Sequence, residues 1–337
     1  LLAGSTKASV VEMNNLFEIR DLSVLFQIKN GFLKRPQSLR AVHNVSFDIK
    51  RKSVVGLVGE SGSGKTTTGK AILRLIEPTK GRLLLNGKDI MHKDYDIKKL
   101  RKENQIIFQD PLSSLNPQKT ILQSLETPMI IHGVGSDGQQ RREVIQETLE
   151  SVGLRGEILN RYPHEFSGGQ LQRICIARTL VLQPSFIVCD EAIASLDVSI
   201  QSQIINLFKK LQDGYNLTYL FISHNIAVLK YLCDEIGVMY LGEIVEFAPT
   251  ERLFANAQHP YTKALLSVIP EPNPAGERAK ETGQELKGEI PSPINPPPGC
   301  AFSTRCPYVF DRCKVEAPQT TTYDQQHRVA CHLIAQD

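Results

Sequence analysis

Residues 54–73 run VVGLVGESGSGKTTTGKAIL, a β-branched stretch that leads into a glycine-rich loop and then into helical spacing. Positions 59–66 match the phosphate-loop pattern G-x-x-x-x-G-K-[ST] in full, and they lie between a predicted buried strand and a predicted helix, as that loop requires. The glycines let backbone N–H groups turn toward phosphate oxygens, and the helix N-terminus adds partial positive charge. A nucleotide phosphate site is therefore favoured over a chance Gly/Ser-rich turn. The loop residues assigned to the nucleotide are Gly59, Glu60, Ser61, Gly62, Ser63, Gly64, Lys65, Thr66 and Thr67.

A second element is the sequence FIVCDE at residues 186–191, a short apolar run that ends in two carboxylates. Such a run is typical of a strand buried on both faces of a parallel sheet, which would fix the directions of Asp190 and Glu191. Asp190 is expected to bind Mg²⁺ directly or through water, and Glu191 to accept a proton from the attacking water or to orient it. Two solvated acids at a strand end would explain this segment if it stood alone, but it accompanies a complete phosphate loop.

Strand and helix patterns alternate along most of the chain. Residues 17–26 and 41–49 alternate apolar and polar side chains, as half-buried strands do, and residues 219–222 form another buried run. The alternation predicts an α/β core with a parallel sheet, a β-rich opening and a mostly helical middle. Helices are predicted over residues 66–75, 138–152, 168–182 and 200–212.

Composition is that of an ordinary globular protein. The chain has 337 residues, an apolar fraction of 41% and a net charge of +3 from scattered Lys and Arg, so no nucleic-acid surface is predicted. No apolar run approaches the roughly 18 residues that span a bilayer, and nothing resembles a secretory signal. We therefore expect a cytoplasmic protein whose folded part follows a tail at residues 1–15.

The sequence FSGGQ at residues 166–170 makes a family resemblance specific. It resembles the signature of ABC transporter ATPases, whose first residue is usually Leu. In that family the Ser and Gly residues cap a helix whose N-terminus meets the γ-phosphate bound to the opposite subunit, so a complete ATP site needs two domains head to tail. The resemblance assigns five residues to contact with the ATP bound by the partner: Phe166, Ser167, Gly168, Gly169 and Gln170.

Further motifs of that family occur in the same order along the chain. Gln109 matches the loop that senses the γ-phosphate, and His224 matches the switch histidine, although a histidine after a strand is more often structural. The resemblance implies that Glu191, His224 and Gln109 are catalytic. It also implies that Mg²⁺ is held by Thr66, Gln109 and Asp190.

The loop that follows the two carboxylates corresponds to the one that crosses the dimer interface in the family. Ala192 and Ile193 depart from the family pattern, which predicts a change in loop stiffness and not a loss of hydrolysis. Phe26 occupies the place of the aromatic residue that stacks on adenine, with a core strand aromatic as the alternative. The dimer-loop residues are Ser195, Leu196 and Asp197.

The resemblance covers about residues 16–335. Three segments make it more specific, because they are similar to ATPases of bacterial oligopeptide and dipeptide importers: residues 162–173, residues 219–224 and the sequence HPYT at 259–262. The insert at 29–40 resembles the second of their two paired ATPases. The implied partners are a homologous ATPase in a heterodimer, two transmembrane permeases and an extracytoplasmic substrate-binding protein, at the cytoplasmic face of the cell membrane. Importers of nickel, glutathione and sugars belong to the same subfamily, so the cargo stays open.

A soluble ABC ATPase acting in DNA repair or translation is the competing class. Such proteins usually carry long coiled-coil inserts or two nucleotide domains in one chain. This sequence has one phosphate loop, no heptad insert and no basic nucleic-acid patch, which favours the transporter.

Cysteine occurs in two groups. Cys175, Cys189 and Cys233 lie in apolar or helical contexts and are predicted to be small buried residues in a reducing compartment. The other four resemble the C-terminal region of the peptide importer ATPases, in which four cysteines can hold a 4Fe-4S cluster. Structural zinc, whose usual ligand pairs are more closely spaced, and an unligated tail are the alternatives. The four residues are Cys300, Cys306, Cys313 and Cys331.

These features predict an α/β P-loop NTPase core of the ABC ATPase type, with an antiparallel β subdomain, a helical signature subdomain and a small Cys-rich C-terminal extension. The nucleotide-binding domain would span residues 16–270, with its helical subdomain at about 110–182. A Pro-rich linker would follow at 271–298 and the Cys-rich region at 299–337.

Overall fold

The computed structural model describes residues 14–28, 36–194, 196–269, 288–324 and 326–334. Predictions that fall on residues 1–13, 29–35, 271–287 and Ser195 lie outside the described residues. The strands within the described part are β1 (Asn15–Ile28), β2 (Gln37–Lys50), β3 (Val54–Val58), β4 (Lys80–Leu85), β5 (Lys88–Asp89), β6 (Asn104–Ile107), β7 (Phe186–Asp190), β8 (Thr218–Ser223), β9 (Glu235–Tyr240), β10 (Glu243–Pro249), β11 (Thr321–Asp324) and β12 (His327–Val329).

The central sheet has eight strands in the order β11-β12-β10-β9-β3-β8-β7-β6. The five strands from β9 to β6 are parallel, which confirms the predicted parallel core. Their side chains are almost all buried, as expected for strands covered on both faces. Because the carboxyl ends of parallel strands lie at one edge, the loops after β3, β7 and β8 come together there.

A separate four-stranded antiparallel sheet, in the order β2-β1-β4-β5, forms the predicted β-rich opening. Phe17 of this sheet packs against Phe186 of β7, with ring centroids 4.7 Å apart. Phe47 likewise stacks on Phe247 of β10. Asn15, which the sequence assigned to the tail, is the first residue of β1.

The helices cover the central sheet and build the helical middle, where α4, α5 and α6 pack together and two short 3₁₀ turns join α5 to α6. The first helix ends at Ile72, earlier than predicted, because Arg74 adopts a left-handed φ of 50°. The described helices are α1 (Lys65–Ile72), α2 (Ile97–Glu103), α3 (Pro111–Ser114), α4 (Ile121–His132), α5 (Gly138–Ser151), α6 (Gly168–Leu180), α7 (Val198–Tyr215), α8 (Ile226–Leu232), α9 (Thr250–Ala255), α10 (Pro260–Ser267) and α11 (Asp311–Val315).

Gly69 explains how α1 approaches the sheet closely. A Cβ atom at this position would lie 2.8 Å from Ile222 Cδ1 and 2.9 Å from Val188 Cγ1, closer than packed carbon atoms allow. The glycine therefore lets α1 lie directly over β7 and β8. This contact fixes the helix N-terminus beside the carboxyl ends of those strands.

The C-terminal region does not form a body apart from the main domain. Strand β12 pairs with β10 and β11 with β12, so both extend the central sheet. Residues 288–298, which the sequence assigned to the linker, also contact the domain, because the Arg40 N–H donates to the Pro293 carbonyl at 3.2 Å. None of the helices in the described part of the chain combines the length and apolar character needed to cross a bilayer.

Candidate nucleotide site

The loop between β3 and α1 curls around its own lysine. Lys65 Nζ donates to the carbonyls of Gly59 and Glu60, at 2.7 and 2.9 Å, and to Ser63 Oγ at 3.2 Å. Burial lowers the pKa of the Lys65 ammonium, while the carboxylates of Glu191, Asp190 and Glu60 oppose that effect. The amine is thus held by groups that a triphosphate can replace.

Gly64 is required by the loop's conformation. Its φ of 99° lies in the left-handed region, and a Cβ atom there would be 2.4 Å from the Ala41 carbonyl oxygen. The loop therefore packs directly on β2. This contact turns the N–H groups at the start of α1 toward the open side of the loop.

The open side of the loop is a cavity of about 400 Å³ at the carboxyl edge of the sheet. Phe26 lies in its wall with 39% of its surface exposed, which fits a stacking platform better than a core aromatic. Leu39, Ala41 and Pro293 also line the cavity, although the sequence did not indicate them. The lining comprises Phe26, Leu39, Ala41, Ser61, Gly62, Ser63, Gly64, Lys65, Thr66, Thr67, Gln109, Glu191 and Pro293.

Two of the predicted Mg²⁺ ligands meet beside this cavity, and one of them, Thr66, lines it. The Thr66 hydroxyl donates to Asp190 Oδ1 at 2.7 Å, so one hydroxyl and one carboxylate oxygen already converge. Burial raises the pKa of Asp190, with the Thr66 hydrogen bond opposing it. These hard oxygen donors fit Mg²⁺, which commonly takes one or two protein oxygens, substrate phosphates and water.

Glu191 carries the other carboxylate into the same space. Its φ of 50° is left-handed, and its N–H donates to the Ile222 carbonyl at 2.9 Å. A non-glycine residue in this conformation stores strain that is typical of functional sites. Gln109 Nε2 donates to Glu191 Oε2 at 2.9 Å, and His224 Nδ1 lies 3.4 Å from the same oxygen. The structure thus brings together all three residues predicted to be catalytic.

The FSGGQ segment lies outside the lining of this cavity. Ser167 is the N-cap of α6, and its side chain and that of Gln170 form a capping box. Phe166 is nearly buried under the Arg161 guanidinium, which lies 4.4 Å from its ring centroid. The exposed N-terminus of α6 therefore lies outside this chain's own phosphate cavity, and its contact with a partner's nucleotide stays a prediction.

The predicted dimer loop lies between these two regions. Gly168 faces Leu196, since a Cβ atom on the glycine would be 3.6 Å from Leu196 Cδ2. Asp197 is the N-cap of α7 and accepts from the Ile200 N–H at 3.0 Å. Ala192 and Ile193 are buried. The segment thus has a local structural role, and its role at an interface stays a prediction.

The three cysteines predicted to be buried are buried, and all seven cysteines are free thiols. In the C-terminal group, burial raises the pKa of Cys300 to about 12, with smaller contributions in the same direction from Cys331, Cys313 and Cys306. Across the described parts of the chain, however, no group of three or more His, Cys, Asp or Glu side chains is arranged so that it could hold a metal ion. The predicted cluster therefore gains no geometric support.

Comparisons with known proteins agree with this geometry. The ABC transporter family model matches residues 42–194, and the model of the oligopeptide/dipeptide transporter C-terminal region matches residues 245–313. The chain is 44% identical to the oligopeptide transport ATP-binding protein AppF of Bacillus subtilis over 97% of this chain and 100% of that protein. It is 45% identical to the dipeptide transport ATP-binding protein DppF of Haemophilus influenzae, over 96% of this chain and 98% of that one.

Solved structures of ATP-binding cassettes share the fold. CbiO1 from Clostridium perfringens, part of the ABC transporter complex cbiONQ, matches with a TM-score of 0.62 and 26% identity over 72% of this chain and 92% of that chain. The dimeric bacterial ABC transporter cassette MJ0796 matches with a TM-score of 0.60 and 28% identity over 69% and 98% of the two chains, and it is also known in a post-hydrolysis state with ADP and Pi. This chain therefore belongs to the ABC transporter family of ATP-binding proteins, in the group that carries the oligopeptide/dipeptide transporter C-terminal region.

Proposed function

We propose that this chain is the ATP-hydrolysing motor subunit of an ABC importer for oligopeptides or dipeptides. One observation supports hydrolysis most strongly: the Glu191 carboxylate, held by Gln109 and His224, faces the same cavity as the phosphate loop. The C-terminal family match and the transport proteins named above support the peptide cargo. Nickel, glutathione or another small solute is the alternative cargo.

The residues around the cavity would have different roles in ATP hydrolysis. Lys65 would leave the carbonyls of Gly59 and Glu60 and neutralise phosphate charge. Glu191 would accept the proton of the attacking water, while Gln109 and His224 hold its carboxylate and the water in line with the γ-phosphate. Mg²⁺ on Thr66 and Asp190 would supply charge neutralisation at the phosphate oxygens.

A second ATPase domain would complete each site. The exposed N-terminus of α6, capped by Ser167, offers N–H groups and partial positive charge to a γ-phosphate bound by a partner. The partner would be a homologous subunit in a heterodimer, and the pair would move two permeases at the cytoplasmic face of the cell membrane. A substrate-binding protein would deliver the cargo from the other side. Residues 16–270 would act as the nucleotide-binding domain.

The deciding experiment is the ATPase activity of this chain reconstituted with its partner ATPase and permeases, with a panel of loaded substrate-binding proteins added. Stimulation by the peptide-loaded protein supports the peptide importer. Stimulation only by a nickel or sugar receptor keeps the importer and changes the cargo. Absence of coupling to every receptor contradicts the transport function.

The sequence resemblance also leads us to propose that the four C-terminal cysteines bind a 4Fe-4S cluster, with zinc as the alternative. The number of sulfur donors supports this, because such a cluster needs four thiolates. Iron and acid-labile sulfide would be measured in anaerobically purified protein. If neither iron nor sulfide is found and zinc is present at about one per chain, that result contradicts the cluster.

A further inference from the structure

The C-terminal segment, which is the described part of residues 299–337, contacts the phosphate loop through Arg305. Arg305 Nη1 donates to Glu60 Oε2 at 2.8 Å, and Nη2 donates to Oε1 at 3.2 Å, so the contact is bidentate. The Arg305 side chain is 7% exposed and that of Glu60 is 25% exposed. Bidentate pairs with little water around them are the strongest class of arginine–carboxylate contact.

Arg305 is held in place by the turn that carries it. The N–H groups of Arg305 and Cys306 both donate to the Phe302 carbonyl at 3.0 Å. The Phe302 ring is buried against the rings of Tyr240 and Tyr261, with centroids 5.2 and 5.5 Å away. The guanidinium itself lies over the Tyr240 ring. An arginine fixed in this way loses little further side-chain entropy when it holds a carboxylate.

Glu60 is consequently held at three points. Its carboxylate accepts from Arg305, and its N–H donates to the Tyr261 hydroxyl oxygen at 2.9 Å. Its carbonyl accepts from Lys65 Nζ at 2.9 Å. The residue that follows the first glycine of the loop therefore links the C-terminal segment to the lysine that must meet the phosphates.

The charge of Glu60 makes this link matter for nucleotide binding. A carboxylate in a loop that receives a triphosphate would repel it, and Arg305 neutralises that carboxylate from behind. Neither Glu60 nor Arg305 lines the cavity, so this pair of side chains acts on the loop and not on the nucleotide directly. The same pairing keeps the Glu60 side chain turned away from the phosphate side.

We propose that Arg305 is a positioning residue of the nucleotide site, which holds and neutralises Glu60 so that the docked C-terminal segment sets the affinity of the phosphate loop for ATP. This inference rests on the proposed ATPase function. It makes the segment from Phe302 to Cys306 part of the nucleotide site, in addition to whatever the cysteines bind. Anything that displaces that turn would weaken ATP binding without touching a residue that contacts ATP.

The test measures binding of the non-hydrolysable analogue AMP-PNP, with Mg²⁺, to the full chain by titration calorimetry. Arg305→Met should raise the Kd about tenfold, because it leaves an uncompensated carboxylate beside the triphosphate. The double variant Arg305→Met/Glu60→Gln should recover most of that loss, because the repelling charge is gone. In the assembled transporter, Arg305→Met should raise KM for ATP and leave kcat within about threefold.

The matched control is Arg312→Met. Arg312 lies in the same segment and forms an equally bidentate pair with Glu316, at 2.8 and 2.9 Å, that does not reach the phosphate loop. Its substitution should leave the Kd unchanged. If Arg305→Met proves insoluble, Arg305→Lys keeps the charge with fewer hydrogen bonds and should give a smaller rise in Kd.

The outcomes separate the inference from the proposed function. Wild-type protein that fails to bind AMP-PNP contradicts the function itself. Wild-type protein that binds, with an unchanged Kd in Arg305→Met, overturns the inference. A raised Kd that Glu60→Gln does not recover also overturns it, because Arg305 would then serve only to anchor the C-terminal segment.

Discussion

Removal of the Glu246 carboxylate should loosen the C-terminal strands and lower the stability of the whole chain. Glu246 lies on β10, is fully buried, and accepts hydrogen bonds from three donors. His327 Nε2 of β12 lies 2.7 Å from Oε1, the Gln258 N–H donates to the same oxygen at 2.7 Å, and the His259 N–H donates to Oε2 at 3.0 Å. One carboxylate thus joins β10, β12 and the start of α10.

The expected magnitude follows from the donors left behind. Glu246→Leu removes the acceptor of three donors that have little access to water, and an unsatisfied buried donor costs about 1–3 kcal/mol. Such costs overlap when the site relaxes, so we expect the free energy of unfolding to fall by about 3–5 kcal/mol. Glu246→Gln keeps one acceptor oxygen and should cost less.

The pH dependence supplies an independent check. Burial opposes ionisation of Glu246, but the polar groups around its carboxylate, His327 foremost among them, outweigh burial and hold its pKa below the usual value. A carboxylate whose pKa is lowered by folding stabilises the protein above its unfolded pKa and loses that contribution as pH falls through the folded pKa. The stability difference between wild type and Glu246→Gln should therefore be largest near neutral pH and shrink in acid, below about pH 4.

Two measurements test this reasoning. Urea denaturation gives the stability change, and hydrogen exchange of the peptide that contains His327–Val329 reports whether β12 opens locally. Glu243→Gln is the control, because Glu243 is on the same strand but pairs with the partly exposed Arg40 at 3.1 Å. Equal stability loss in both variants, or unchanged exchange at β12 in Glu246→Leu, would refute the assigned role.

Three further predictions concern the nucleotide site and its support. Glu191→Gln should lower ATP turnover by about 10²–10⁴-fold while ATP binding persists, because the amide can still accept from Gln109 but cannot take a proton. Steady-state hydrolysis and nucleotide binding, measured together, test this prediction. Turnover near that of wild type would contradict the role of Glu191. Phe26→Ala should weaken ATP binding by about tenfold through lost base stacking, whereas Phe26→Tyr should keep the wild-type affinity. A large loss of thermal stability with unchanged affinity would instead assign Phe26 to the core. Gly69→Ala should lower the free energy of unfolding by about 1–3 kcal/mol despite the helix propensity of Ala, because its Cβ would overlap Ile222 and Val188. Urea denaturation tests this prediction. A variant more stable than wild type would show that α1 can move away from the sheet.

The sequence was most informative where chemistry demands fixed residue types at fixed spacing. The phosphate loop, the carboxylates after β7 and the glutamine and histidine beside them can be recognised from the amino-acid sequence alone, because each motif follows or precedes a buried strand. Parallel strands then bring these motifs to one edge, so agreement of local patterns was enough to predict which of these residues lie together. The capping box at Ser167 could be predicted for the same reason, since it depends only on neighbours three residues apart.

The other walls of the cavity depend on contacts between distant parts of the chain. Leu39 and Ala41 come from a strand of the antiparallel sheet, and Pro293 comes from a segment assigned to a linker. No local pattern marks such residues, because their side chains are ordinary for a strand and a proline-rich stretch. The three-residue strand β12 is likewise too short for an alternating pattern, which explains why the sequence did not indicate that the C-terminal region extends the main sheet.

Glu60 shows how a motif can conceal a second function. In the phosphate-loop pattern its position is unrestricted, because the backbone and not the side chain meets the nucleotide. That freedom is what allows the side chain to be used for a contact with Arg305 of the C-terminal segment, while the backbone N–H of Glu60 donates to the Tyr261 hydroxyl of the HPYT sequence. The residues that bind phosphate are thus set by chemistry, whereas the residue that ties the loop to the rest of the chain is set by the particular domain packed behind it.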